Sequence, residues 1–566
     1  MKIRITEGQA KYFEDSERRF LGIESWQMRA DGACLIDLRE RSDEDCKKIL
    51  LVLTKHVNVR GVSKLVEDVK IWTTTVENAD QKVCTSVRSM EQLLIQAMIA
   101  SPRIHLYSKK ESLDDTWEPW FVSEVGYTPR RGRGEDMVEE HTTVELQCIR
   151  YDGVYARNLT FWPSCISDKL TVAEHLRERG YVFETKELRE RYEVDFKAWL
   201  EVRKDIGGQY LATGQAWTIK GRGWDDRARE ISMTRDGEES KVVVDEDLEE
   251  GKGTDHSRAG RFWIQKATRL TDEQREEGLS PQEVAEKRSY EIPYRHYVKV
   301  FDLRRHMNLN LHISQMTKYV YNTQLKKQLV LSEDVKQLVD VLVEHKDGGF
   351  EDVVKGKSGG AIVLLCGAPG TGKTLTAEVF SESEKKPLYS VQASQLGMDA
   401  QALENELGIV LRRAKKWDAI LLIDEADVYM RKRGEHIGQN AIVGVFLRVL
   451  EYYSGVLFLT TNRGDDVDDA ISSRCIARIE YEYPIASDLT KIWKILTKKV
   501  GAPMADAEID AVVNEYVGRM SGRDVKNLLK LAVLLNKGKG KDEPITLSTI
   551  KQAIKFKPTK TLESGH

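Results

Sequence analysis

The run Gly367-Ala368-Pro369-Gly370-Thr371-Gly372-Lys373-Thr374 fits the spacing G-x-x-x-x-G-K-[ST]. It stands directly after an apolar stretch and directly before the helical Leu375-Thr376-Ala377-Glu378-Val379-Phe380. Glycines at this spacing let the main chain curl until successive N–H groups face phosphate oxygens at a helix N-terminus. Lys373 would neutralise β- and γ-phosphate charge, and the Thr374 hydroxyl suits a Mg²⁺ ligand. The eight residues, with Leu375 behind them, are therefore candidate nucleotide contacts.

Two later segments supply what a phosphate site lacks. Ile420-Leu421-Leu422-Ile423-Asp424-Glu425-Ala426-Asp427 is an apolar strand ending in carboxylates. Asp424, at the strand end, suits the Mg²⁺ shell, and Glu425 suits a general base that polarises an attacking water. Asp427 reads as a plain charge at a helix N-terminus. Val456-Leu457-Phe458-Leu459-Thr460-Thr461 delivers Asn462, whose amide would orient the water or sense the γ-phosphate. Ser473-Arg474-Cys475 follows, and Arg474 is the candidate finger onto a neighbouring subunit's γ-phosphate, with Arg478 as its substitute.

These residues need a scaffold that brings strand ends together. Short apolar strands at Ile362–Leu365, Leu388–Val391, Ile420–Ile423, Val456–Leu459 and Ala477–Tyr481 alternate with helical segments, which implies a parallel sheet covered by helices. Ahead of them, Ser332 caps a helix with apolar residues at Val335, Leu338, Val339, Leu342 and Val343, and with Glu333 and Asp334 in its first turn.

In this order and context, residues 315–556 resemble a AAA+ ATPase module, with Walker A, Walker B, sensor 1 and arginine-finger motifs in sequence. Gly360–Leu365, Leu375–Glu378, Val445–Leu450 and Leu459–Arg463 are similar to a AAA subgroup found among uncharacterised fungal and bacterial ATPases. The resemblance implies ATP and Mg²⁺ as cofactors, a homo-oligomeric ring, usually hexameric, and a C-terminal helical lid from about Pro484. It also implies that Ser521–Leu529 is the sensor 2 helix, with Arg523 contacting the nucleotide. One departure stands out. Where threading relatives carry an aromatic-hydrophobic-Gly pore motif, Ala393–Ala400 has no aromatic residue, and Met398 is the nearest substitute.

The chain of 566 residues exceeds one core, and its two halves differ: nine of the eleven Trp precede residue 300, while every phosphate-binding signal follows 360. The fold expectation is multidomain. An α+β partner-binding region spans 1–310, an α/β AAA+ core with a parallel sheet spans 311–484, a small helical lid spans 485–558, and 559–566 is a tail, its Leu562–His566 reading as the start of a vector-derived tag. Val172–Arg179, Leu188–Val202 and Asp272–Lys287 read as helices, and 235–260 as an acidic, glycine-bearing surface loop around a Val242–Val244 strand.

Trp117, Trp120, Trp162, Trp199, Trp217, Trp224 and Trp263 read as core residues. His141, His256 and His296 read as isolated, without metal-ligand spacing. Arg130-Arg131-Gly132-Arg133-Gly134 reads as a basic hairpin tip followed by acidic residues. A net charge of −4 argues against bulk electrostatic binding of nucleic acid. The absence of a long apolar run and of a signal-like N-terminus leads to a cytoplasmic protein without a membrane anchor. Seven scattered Cys suit buried reduced thiols. The leading reading is a ring-forming ATPase that remodels or disassembles a protein partner held by residues 1–310. Its rivals are a nucleic-acid-stimulated motor or sensor and a nucleotide-gated assembly scaffold.

Overall fold

The computed structural model describes residues 2–23, 33–38, 41, 43–59, 61–77, 83–100, 105–109, 116–132, 137–150, 153–218, 230–235, 238–246, 292–331, 333–344, 360–397, 399–501, 504–538 and 544–556. The expected helix Asp272–Lys287, His256, Trp224, Trp263, Arg133, Gly134, Ser332, Met398 and the tail lie outside these residues.

Five strands form the parallel sheet, in the order Leu388–Gln392, Ile420–Asp424, Val456–Thr461, Ala361–Gly367, Ala477–Tyr481. Each matches an expected strand to within two residues at either end. The three central strands are apolar and buried along almost their whole length, as strands covered on both faces must be. Cys366 pairs with Thr461, Gly367 with Tyr481 and Gln392 with Asp424. This register brings the carboxyl ends of the strands to a common edge. Helices Lys373–Ser383, Ala400–Lys416 and Ile437–Leu450 connect successive strands.

Four helices follow: Ala486–Val500, Asp506–Tyr516, Gly522–Gly538 and Leu547–Ile554. They enclose a core of their own that includes Leu489, Trp493, Val513, Met520, Leu528 and Ile550.

The first half is built from antiparallel pairs with helices. Lys2–Thr6 pairs with Ala33–Asp37. A five-stranded sheet runs Gly153–Phe161, His141–Arg150, Trp117–Thr128, His105–Lys109, Tyr181–Phe183. A larger sheet contains Gln209–Ala212, Gln215–Thr218, Glu238–Val244, Tyr297–Asp302, Met307–His312 and Met316–Lys318. Two expectations change here. Residues 238–244 form a full seven-residue strand, longer than the three valines suggested, because Ser240–Val243 pair with Gln209–Ala212 while Val242–Val244 pair with Val300–Asp302. The change of architecture also falls later than residue 311: Met307–His312 and Met316–Lys318 still pair within the antiparallel sheet.

Trp120, Trp117 and Trp199 are buried as expected, whereas Trp162 is partly exposed and packs on His141, with ring centroids 4.6 Å apart. Arg131 and Val138 bridge beyond the strands Trp117–Thr128 and His141–Arg150, which makes the Arg130–Arg131 segment a hairpin tip. All seven cysteines are free thiols, five of them buried. Among the described residues no helix is long and apolar enough to cross a membrane.

The two architectures share one core. Val243 and Phe301 of the antiparallel sheet are buried in the same cluster as Tyr389, Leu407, Trp417 and Leu421. Phe301 meets Trp417 at 5.0 Å and Tyr389 at 5.5 Å between ring centroids, and the Arg413 guanidinium lies 4.6 Å from its ring centre. Around this apolar contact, Asp245 accepts hydrogen bonds from Lys416 Nζ at 2.8 Å and Trp417 Nε1 at 3.0 Å. Glu382 accepts from Lys241 Nζ, Tyr319 Oη and the Asn322 amide. Phe301→Ala should cost about 3–5 kcal/mol through the cavity it leaves; a lowered urea midpoint checks this, and an unchanged one would show that the shared core does not hold the halves together.

Candidate nucleotide site

Three glycines give the loop its shape. Gly367, Gly370 and Gly372 have φ of 146°, 83° and 112°, values that L side chains rarely adopt. A Cβ on Gly367 would strike the Tyr481 carbonyl. One on Gly370 would lie 2.7 Å from Arg523 Cβ and 2.8 Å from Ser521 Oγ. Gly372 then caps the helix Lys373–Ser383, whose first-turn amides have no intrahelical acceptor and face the loop's concavity with the positive end of the helix dipole.

Lys373 is buried, and its Nζ donates to Gly367 O at 2.8 Å, Ala368 O at 2.9 Å and Asn462 Oδ1 at 2.9 Å. Burial pushes its ammonium below the usual lysine range, against the opposing pull of the Asp424 carboxylate. The hydrogen bond to Asn462 joins the loop to the end of Val456–Thr461, so two of the expected residues, distant in sequence, share one contact.

Thr374 Oγ1 donates to both Asp424 oxygens, at 3.2 Å each. Asp424 also accepts from Thr460 Oγ1 at 2.5 Å, and the same hydroxyl accepts from the Glu425 amide at 2.9 Å. Glu425 has φ of 55°, a strained value for a glutamate, at the turn that leaves the strand. Its carboxylate is exposed at the strand edge beside Asp424. Asp427 opens the short helix Asp427–Met430, as expected, and in addition accepts a hydrogen bond from Thr461 Oγ1.

Arg523 approaches from the C-terminal helices: its amide donates to Gly370 O at 3.3 Å. Ser521 caps its helix, with Asp524 Oδ2 accepting from both the Ser521 amide and hydroxyl. Pro369 is exposed and Ala368 and Thr371 are half-buried along the loop, with Thr371 Oγ1 donating to Ala368 O at 2.8 Å. Leu375 is 50% exposed, on the open face of the first helical turn.

Arg474 lies elsewhere. It pairs with Glu451 at 3.6 Å and donates to Ala470 O, and among the described residues it makes no hydrogen bond or ion pair with the loop. Arg478 pairs with Glu480 at 2.8 Å, and its Nη2 lies 3.2 Å from where a Cβ added to Gly464 would sit. The segment Ala393–Gly397 is fastened by Tyr429, whose hydroxyl lies 2.5 Å from Ala393 O and 2.8 Å from Gly397 O.

Sequence reasoning missed Thr460, Thr461 and Tyr429. The two threonines carried a readable signal, since adjacent hydroxyls end an apolar strand just before Asn462. His296 calls for a correction: it is not isolated, because the fold sets it beside His312 and Asp195, and burial holds its imidazole down to about 3.

A glycine-built loop at a helix N-terminus, with a lysine, a threonine–aspartate pair and a strand-end asparagine at the edge of a parallel sheet, defines a P-loop nucleotide site that fits a nucleoside triphosphate and Mg²⁺. Residues 363–483 match the family model described as ATPase family associated with various cellular activities (AAA). Over 207 residues the chain is 32% identical to the ATP-dependent zinc metalloprotease FtsH 3 of Sphaerobacter thermophilus, covering 34% of this chain and 41% of that protein. It is 30% identical over 200 residues to the ATPase family AAA domain-containing protein FIGL1 of Arabidopsis thaliana, covering 32% and 28%. Fidgetin-like protein 1 of Xenopus tropicalis is 29% identical over 184 residues, covering 30% and 28%. In each case the similarity spans less than half of the relative's length. The chain carries a module of the AAA+ ATPase family.

Thr460→Val removes the hydroxyl that holds both Asp424 and the Glu425 amide. It should raise the Mg²⁺ concentration needed for half-maximal nucleotide hydrolysis by about 10–100-fold, as loss of an outer-shell partner does; a magnesium titration of turnover with no displacement would refute that role.

Proposed function

We propose that this protein is a Mg²⁺-dependent ATPase that works as a homo-oligomeric ring, hexameric by family resemblance, and couples hydrolysis to remodelling of a protein partner held by its first half. The observation that carries the ATPase reading is the presence of two hydrogen-bonded pairs, Lys373 with Asn462 and Thr374 with Asp424, at the sheet's carboxyl edge. In this reading the loop Gly367–Thr374 cradles the triphosphate, and Lys373 exchanges its carbonyl and Asn462 partners for phosphate oxygens. Thr374 and Asp424 hold Mg²⁺, which neutralises the charge developing on the phosphoryl oxygens. Glu425 accepts the proton of the attacking water, and Asn462 orients that water.

Arg474 serves a neighbouring subunit's nucleotide, a role consistent with its exposed position and with its lack of loop contacts within one chain. Arg523 reads the nucleotide from the lid, Gly370 being the point of contact. The relatives are metalloproteases and fidgetin-like proteins, and that company is what supports remodelling of a protein. The exposed hairpin tip with Arg130 and Arg131 supports the second reading, in which nucleic acid stimulates turnover.

Lys373→Ala should abolish ATP binding. Glu425→Gln should bind ATP normally and hydrolyse it at least about 100-fold more slowly, the usual worth of a general base, and undiminished turnover would sink its role. Arg474→Ala should slow hydrolysis by about 10³-fold without weakening nucleotide binding. Isolating Glu425→Gln protein with ATP from its host tests the partner: a protein enriched over the Lys373→Ala background supports remodelling, and nuclease-sensitive material replaces it with the second reading.

A further inference from the structure

We infer that Asp195, His296 and His312 form a binding site for one divalent transition-metal cation of the zinc class, which ties the helix Lys186–Lys204 to the antiparallel sheet of the first half. The three residues lie far apart in the chain and outside residues 363–483. In the fold their donor atoms all lie within 4.8 Å of one another.

Each donor has a reason to be where it is. His296 sits just before the strand Tyr297–Asp302, and its neighbour in space, His312, ends the strand Met307–His312 that pairs with it; Tyr297 stands opposite His312 in the register. Antiparallel pairing thus holds the two imidazoles together, with ring centroids 6.2 Å apart. Asp195 projects from the helix one turn beyond Arg191, and the aromatic run Tyr192, Phe196 and Trp199 of the same helix packs around His296 at 4.6–5.9 Å.

The site is built and unsatisfied. His296 is 3% exposed, and its Nε2 has no hydrogen-bond partner among the described residues. A buried polar nitrogen left in that state costs free energy that a bound cation would recover. The half-buried Asp195 likewise forms no hydrogen bond among the described residues. His312 Nδ1 accepts from the Ser314 amide at 3.3 Å and lies 2.9 Å from Ser314 Oγ; metal binding at Nε2 shifts the ring proton to Nδ1, where Ser314 Oγ accepts it and the amide contact is given up. Such an outer hydrogen bond is what orients a ligating imidazole.

The basic groups around the site are held by carboxylates of their own, and the space suits an ion. Arg191 and Lys109 both pair with Asp68, and Trp117 Nε1 donates to the same carboxylate. Arg295 pairs with Glu118. Lys64 adds to the positive field at the site, and the Asp195 carboxylate is the negative charge that a divalent cation meets there. The cavity that the three donors line together with Arg191, Tyr192 and Ser314 has a volume of about 20 Å³, enough for an ion with a water. Two imidazoles and a carboxylate suit zinc at about 2.0–2.2 Å, with a fourth position left for water. Around such a centre the donors stand about 3.3 Å apart, so binding draws the 4.8 Å set inward by side-chain rotation.

The test uses the full chain, stripped with a chelator, dialysed and titrated with Co²⁺, then with Zn²⁺ as competitor. Asp424→Asn serves as background, so that the nucleotide site contributes nothing. Uptake of about one Co²⁺ per chain with the intense visible bands of a four-coordinate centre, displaced by Zn²⁺, is the expected result. His296→Gln and His312→Gln should lose the bands while keeping the far-ultraviolet circular dichroism of the parent, and Ser314→Ala should weaken binding about 10-fold. His296→Cys should restore binding and add a thiolate-to-cobalt charge-transfer band, which places the ion at that residue even if the glutamine variants prove unstable. Absence of the bands in the parent, or bands undiminished in folded His296→Gln and unchanged in His296→Cys, overturns the assignment.

Discussion

The carboxylate of Asp424 is gripped from two sides, by the Thr374 hydroxyl after the glycine loop and by the Thr460 hydroxyl of the adjoining strand. That grip exists only because parallel pairing sets Ala361–Gly367, Ile420–Asp424 and Val456–Thr461 in one register, with their carboxyl ends level. A slip of one residue would turn Asp424 to the other face of the sheet and break the set. The buried apolar lengths of these strands make such a slip expensive, so the hydrophobic core fixes the polar edge. Lys373, Asn462 and the strained Glu425 turn all hang on the same edge.

How much of this could be read in the chain follows from the range of each interaction. The loop Gly367–Thr374 and the strands around it were legible because turn chemistry and apolar patterning are local: a glycine at the right spacing and a run such as Ile420–Ile423 carry their own instructions. Asn462 and Asp424 were legible as strand ends. The Thr460 hydroxyl that clasps Asp424 was missed although it ends an apolar strand, since its role depends on which strand lies alongside. Distance in sequence hid the most in the first half. Nothing local marks His296 and His312 as neighbours; a hairpin register joins them, and Asp195 arrives from a helix a hundred residues earlier. The boundary after 310 misled for a related reason, because Met316–Lys318 completes a sheet whose other members lie well upstream.

The first half and the nucleotide core are not beads on a string. Phe301 is inserted among Tyr389 and Trp417, Asp245 fastens Lys416 and Trp417 beside it, and Glu382 separately ties the helix Lys373–Ser383 to Lys241, Tyr319 and Asn322. Tyr389 stands near the amino end of the strand Leu388–Gln392 and Trp417 just ahead of the strand Ile420–Asp424, so packing in the first half bears, from the end opposite the site, on the sheet that carries the chemistry. The four C-terminal helices, by contrast, have a separate core, and they reach the loop through Ser521 and Arg523.

That contact at Gly370 has no slack. With the Arg523 and Ser521 side chains already within 2.8 Å of where a methyl would sit, the loop cannot swell outward without moving the helix Gly522–Gly538. Because the first half is cemented to the sheet, the yielding joint must be the short connection between Tyr481 and Ala486. A displacement of a single bond length at the loop is thus passed to a 17-residue helix as a push at one end, and the far end of that helix sweeps the larger arc. The chain is geared, with its smallest loop driving its most separable part.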